Sequence, residues 1–175
     1  IAQTGAKIVW GDIDLNTGNL CPDDVEHKIT DKTKAIMAVD YAGIPIDIKR
    51  FQQIEKKYGI PVIQDSAHAL GSMYDGRKIG NHFKYTIFSF QAIKHMTTVD
   101  GGMLCIKDDN EFEKAKLLRW FGLEKGVSRL DNDIQIQGYK YHMNNVNATI
   151  GLVQLERINE IIDIYFDNGK YFDQA

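Results

Sequence analysis

A chain of 175 residues carries enough material for one domain with a substantial core but not for two well-developed ones. It is 43% hydrophobic and 26% charged with a formal net charge of -3, so nothing in the composition suggests a polyanion-binding surface and nucleic acid is not an expected partner. No apolar run reaches membrane-spanning length and no basic-then-apolar leader opens the sequence. The two cysteines, Cys21 and Cys105, have no CxxC or Cys/His ligand spacing and read as reduced packing residues of a cytoplasmic protein.

In chain order, "AKIVWGDID" (6–14) predicts a strand, and "CPDDVEHKIT" (21–30) follows with Pro22 and two acids where they suit a helix start. "KAIMAVDYAG" (34–43) predicts a buried strand. "DIKRFQQIEKKYG" (47–59) sets Ile48, Phe51, Ile54 and Tyr58 at helical spacing and stops at Gly59. "IPVIQDSAHALG" (60–71) predicts a strand with a polar tip, and "SMYDGRKIG" (72–80) a hairpin turning at Asp75-Gly76. "YTIFSF" (85–90) and "GGMLCIK" (101–107) are further strands, with a lysine-bearing segment between them. "NEFEKAKLLRWFG" (110–122) predicts a helix ending at Gly122, with "EKAK" on its solvated face, and a long amphipathic helix runs from 144 through 166 and beyond. There is no internal repeat and no low-complexity linker.

Strands alternating with helices imply a mostly parallel sheet with crossover helices, and such sheets bind ligands at the carboxyl ends of their strands. Asp65, Ser66 and His68 follow one predicted carboxyl end, Ser89 marks another, and Lys94 lies shortly beyond it. Taken singly, each has a plainer reading: Lys94 as a loop cation, Asp65 as a strand-end cap, His68 as a satisfied polar residue, Ser89 as a structural hydroxyl. Together, an acid, small hydroxyls and a lysine on one rim suit a phosphate-bearing cofactor with a basic ring nitrogen, which points to pyridoxal phosphate. An imine-forming lysine must shed its proton more readily than in water, where its pKa is about 10.4. A carboxylate must face the ring nitrogen, and hydroxyl or N–H donors must hold the phosphate. His82, His95 and His142 have no metal-ligand spacing, and Trp10, Trp120 and Phe121 read as packing residues.

"IQDSAHALGSMYDGRKIG", "TIFSFQAIKHMTTVDGG" and "GYKYHMNNVNATIGLVQL", in this order, resemble the DegT/DnrJ/EryC1/StrS family of sugar aminotransferases, and the likeness spans nearly the whole chain. The resemblance implies the α/β fold of PLP-dependent transferases of fold type I. Lys94 then matches the Schiff-base lysine, which also shuttles a proton, and Asp65 the acid on the pyridine nitrogen. His68 matches a position near the ring hydroxyl where many members carry Gln, and Ser89 a phosphate ligand. The reaction implied is transfer of an amino group from glutamate or glutamine to a nucleotide-linked keto-sugar, by a homodimer that builds each site from two subunits.

Two departures from the family pattern stand out. Val99-Asp100 replaces a common Gly-Glu pair, which puts a β-branched residue in a turn that favours positive φ. Lys140 and His142 stand where Asn and Arg are common, and Lys140 would offer the phosphate a charge-assisted bond in place of a neutral one. The chain opens on Ile1 and reads like protein interior, so the expectation is a partial large cofactor-binding domain over 1–175, truncated before its phosphate loop and after its long helix. Sugar dehydrases of the same family carry His in place of the Schiff-base lysine, which Lys94 argues against. A non-catalytic scaffold would need neither Asp65 nor Lys94.

Overall fold

The structure, a computed structural model, describes residues 1–174. It divides into two compact units, Ile1–Ser89 and the residues from Phe90 onward.

In the first unit, α1 (Pro22–Lys28) opens with Pro22 and with Asp23 and Asp24 in its first turn, where proline loses no hydrogen bond and carboxylates suit the helix dipole. Strand β1 (Ile36–Val39) leads into α2 (Ile48–Tyr58). Asp47 caps α2 by accepting the Arg50 N–H at 3.1 Å, and Gly59 ends it with φ 64°. β2 (Val62–Asp65) pairs in parallel with β1, and β5 (Tyr85–Ser89) pairs in parallel with β2. Between them the hairpin of β3 (Met73–Tyr74) and β4 (Arg77–Lys78) turns at Asp75 and Gly76, both at positive φ as a two-residue hairpin turn demands.

Strand side chains alternate between faces, and the register makes the alternation coherent across the three strands. Ile36, Ala38, Val62, Gln64, Thr86 and Phe88 point to a buried face, and Phe51 and Ile54 of α2 are buried as well, with α2 against β2. Met37, Val39, Ile63, Asp65, Ile87 and Ser89 point to the other, more open face. Glu26 of α1 accepts bonds from Lys57 Nζ at 2.7 Å and Tyr58 Oη at 3.0 Å, and also pairs with Arg50, which joins α1 to α2.

The strand expected over 6–14 does not form. Only an isolated bridge joins Ile13 to Leu20, and Trp10, expected to pack, is 80% exposed. The backbone bonds there go to a local turn: Asp14 Oδ1 accepts the N–H groups of Asn16 and Thr17 at 2.9 and 3.1 Å, and Gly18 N–H reaches Asp14 O at 2.8 Å. Short acidic and amide side chains thus offer the chain an alternative to a ladder.

The second unit contains β6 (Gly102–Ile106), α3 (Asp109–Leu118), α4 (Asn145–Glu156) and α5 (Ile158–Asp173). α3 ends four residues before Gly122, because its last carbonyls are taken by a returning segment: Tyr139 N–H bonds to Leu118 O at 2.6 Å and Tyr141 N–H to Arg119 O at 3.0 Å. The single long helix expected from 144 onward is two helices. Arg157 breaks it with φ -107° and ψ 4°, and its N–H turns to Gln154 O at 3.1 Å; no Gly or Pro marks the place.

Candidate active site

At the carboxyl edge of the first unit, Asp65 lies in register between Val39 of β1 and Ile87 of β5. Ser89, two residues beyond Ile87, is on the same face of the neighbouring strand. The structure therefore brings Asp65 and Ser89 together on one open face. Asp65 Oδ1 accepts the Ala67 N–H at 3.1 Å, which starts the turn after β2, while its other oxygen receives no bond among the described residues. His68 follows in that turn, exposed, with its ring edge-on to Tyr41 at 6.4 Å. Gly43, at φ 85°, permits the turn after β1 to approach: a Cβ there would lie 3.0 Å from His68 O. Ser72 Oγ donates to Gly43 O at 3.0 Å and joins the same two loops.

Behind this edge lies a group that sequence reasoning missed. Asp40, directly after β1, is fully buried and accepts from Ser66 Oγ at 2.6 Å, from Gln64 Nε2 at 3.0 and 3.2 Å, and from Ile46 N–H at 2.9 Å. Burial pushes its carboxyl above the usual aspartate range; the donors of Ser66, Ile46 and Gln64 oppose that, and the nearby charge of Asp65 adds to it. The available signal was its place: an acid at the end of an apolar strand, as Asp65 is.

In the second unit, Lys94 lies on a loop from Phe90 to Gly101 whose ends are stitched together. Phe90 N–H bonds to Gly101 O at 2.9 Å and Thr98 N–H to Phe90 O at 2.9 Å. Lys94 is half-buried, its N–H is bound to Gln91 O at 2.9 Å, and its ammonium makes no ion pair among the described residues. Val99 takes φ 70°, the left-handed conformation that a β-branched side chain resists. Its neighbours hold it there: Thr98 Oγ1 donates to Asp100 O at 2.8 Å and Val99 N–H to Thr97 Oγ1 at 2.9 Å.

Lys140 is exposed on the segment that returns past Trp120, with which it forms an isolated antiparallel bridge. His142 packs edge-on against Trp120 at 3.8 Å. Burial, then the charges of Lys140, Arg119 and Lys125, hold its imidazole below the usual histidine range. Lys94 and Lys140 stand on separate segments of the second unit.

Within the first unit, a half-buried carboxylate with one oxygen unbonded among the described residues, beside a hydroxyl on the adjacent strand, has the chemistry that a basic ring nitrogen and a phosphate require; within the second, the half-buried Lys94 amine has the chemistry that an aldehyde requires. The residues fit pyridoxal phosphate on that ground.

The model of the DegT/DnrJ/EryC1/StrS aminotransferase family matches residues 1–175. Among solved structures, AtS13 from Actinomadura melliaura is 37% identical with a TM-score of 0.93, over 99% of this chain and 48% of that one. Sugar aminotransferase CalS13 from Micromonospora echinospora is 32% identical with a TM-score of 0.94, over 99% and 49%. A protein from Streptococcus pneumoniae described as a sugar aminotransferase matches in its PLP-form at 32% identity and a TM-score of 0.88, over 99% and 49%, and is also known in a PMP-form. The chain thus spans about half the length of these relatives.

Proposed function

Since the chain belongs to the DegT/DnrJ/EryC1/StrS aminotransferase family, we propose that it supplies cofactor-binding and catalytic residues of a sugar aminotransferase, one that moves an amino group from glutamate or glutamine to a nucleotide-linked keto-sugar. Its fold is that of the PLP-dependent transferases of fold type I, and its cofactor is pyridoxal phosphate. The observation that carries the reading is the pairing of Asp65 and Ser89 on one open face at the carboxyl edge of a parallel sheet.

When bound, pyridoxal phosphate supplies an aldehyde that captures amines and a protonated ring that stores the electron pair freed at the donor's α-carbon. Asp65 would hold a negative charge against the ring nitrogen and so favour its protonated form. Ser89 would donate its hydroxyl to the phosphate, and the Lys140 ammonium would offer a second, charge-assisted donor, in a homodimer to the phosphate of the neighbouring subunit. His68 would stand near the ring hydroxyl. Lys94 Nζ would be the amine that holds the aldehyde and, when free, the base that carries a proton at the donor's α-carbon. Cys21 and Cys105 are both free thiols, which suits a cytoplasmic enzyme.

The test is to add pyridoxal phosphate to the purified chain, record the visible spectrum before and after borohydride, and locate the modified peptide by mass. A label on Lys94 that is lost in Lys94→Ala is expected. A label on another lysine, or none on a chain shown to be folded, would overturn the assignment.

A further inference from the structure

We propose that Asp40 is a positioning residue, whose buried carboxylate grips Gln64 and Ser66, the two chain neighbours of Asp65, and thereby fixes the direction in which Asp65 faces the cofactor. The inference rests on the reading of Asp65 as the acid on the ring nitrogen.

In a strand, residues i-1 and i+1 point to the face opposite residue i. Gln64 and Ser66 accordingly point to the buried face, where both donate to the one carboxylate of Asp40, at 3.0 and 2.6 Å. The Asp40 N–H adds a third tie, to Asp65 O at 2.9 Å. With its backbone held on both sides and at its own carbonyl, Asp65 has little freedom to swing away from the open face. A fully buried carboxylate is costly unless donors surround it, and an apolar residue at the end of β1 would fill the space without that cost. What the acid provides and an apolar side chain cannot is this simultaneous hold on both neighbours of Asp65 and, through Ile46 N–H at 2.9 Å, on the lead into α2.

The Ala67 amide reports the result directly, because it donates to Asp65 Oδ1 at 3.1 Å. Amide hydrogen exchange without cofactor, compared among wild type, Asp40→Ala, Asp40→Asn and Ser66→Ala, is the first measurement. Ala67 should exchange about tenfold faster in Asp40→Ala while the α2 amides change little, with Asp40→Asn between because it keeps one acceptor oxygen. Ser66→Ala removes one donor only and keeps the test open where Asp40→Ala does not fold. The second measurement is pyridoxal phosphate affinity by absorbance titration, in Asp65 and Asp65→Ala backgrounds. Asp40→Ala should weaken binding about tenfold in the first and hardly at all in the second, since it acts through Asp65. Uniformly faster exchange through the unit, or an affinity loss of equal size in both backgrounds, would overturn the proposal. A folded wild-type chain that takes up no pyridoxal phosphate counts against the cofactor reading and not against the clamp, which the Ala67 amide then decides alone.

Discussion

The side-chain amide of Asn147 donates a hydrogen bond of 2.6 Å to the carbonyl of Asp100, so the third residue of α4 holds the turn that closes the Lys94 loop. That turn contains Val99 at φ 70°, a conformation costing a β-branched residue about 1 to 2 kcal/mol. Val99→Gly should therefore stabilise the protein, by about 1 kcal/mol after allowance for the greater freedom of glycine when unfolded. Asn147→Ala should destabilise it by about 1 kcal/mol. Chemical denaturation measures both, and a destabilised Val99→Gly would mean that the valine side chain packs for more than its strain costs.

Gly101 is required for space as well as for conformation. A Cβ there would lie 2.7 Å from Thr98 Oγ1 and 2.8 Å from Met143 Cε, at φ 147°. Gly126 also has positive φ, 98°, but nothing lies within 4 Å of its added Cβ. Gly101→Ala should cost about 2 kcal/mol or more and Gly126→Ala about 1 kcal/mol. Equal thermal shifts for the two would show that Thr98 and Met143 move aside freely.

Glu26 sits in a cage of Lys57, Arg50 and Tyr58, named in order of influence, which holds its carboxyl down to about 2 from an ordinary 4.5. Because the folded value is the lower one, the stabilisation is complete above the unfolded pKa and disappears as pH falls through the folded one. The stability difference between wild type and Glu26→Gln should be constant above about pH 5 and shrink as the pH approaches 2. Urea melts across that range check it, and a difference independent of pH would mean that the ion pairs contribute nothing beyond packing.

Much of the first unit was legible because local signals and packing agree there. Pro22, Asp47 and Gly59 mark helix ends that the structure keeps, and Asp75-Gly76 turns where hairpin chemistry places it. Asp65 and Ser89 could each be placed at a strand's carboxyl end from the order of strands and helices, while the pairing of β2 with β5 is what makes those ends neighbours. The failures arose where a side chain competes with the ladder or where a distant segment intervenes. Asp14 folds its own turn in place of a strand, and the returning residues Tyr139 and Tyr141 cut α3 short. Asp40 was invisible as a network centre because its partners Gln64 and Ser66 lie 24 and 26 residues away.

The His142 imidazole, packed against Trp120, is held below the ordinary histidine range first by burial and then by the cations of Lys140, Arg119 and Lys125. Its NMR titration should have a midpoint below the ordinary 6.5, and Lys140→Gln should move that midpoint upward. Protonation then works against the fold: stability from this group is full above the unfolded pKa and declines as pH falls below it. A midpoint that stays put in Lys140→Gln would leave the effect to burial and to the charges of Arg119 and Lys125.

Asp65 and Ser89 share a face, yet the proposed roles predict different losses from each. A hydroxyl that donates to the phosphate contributes to holding the cofactor at every stage, so Ser89→Ala should weaken pyridoxal phosphate binding about tenfold with turnover near normal at saturation. A carboxylate that keeps the ring nitrogen protonated acts most strongly when the ring accepts electrons, so Asp65→Asn should lower turnover by about a hundredfold or more, in addition to a loss of cofactor affinity of about tenfold. Separate titration of cofactor affinity and of single-turnover rate distinguishes the two. If Asp65→Asn lost affinity alone, its carboxylate would be an anchor and not an electrostatic partner of the ring, and the chemical role would have to pass to another residue.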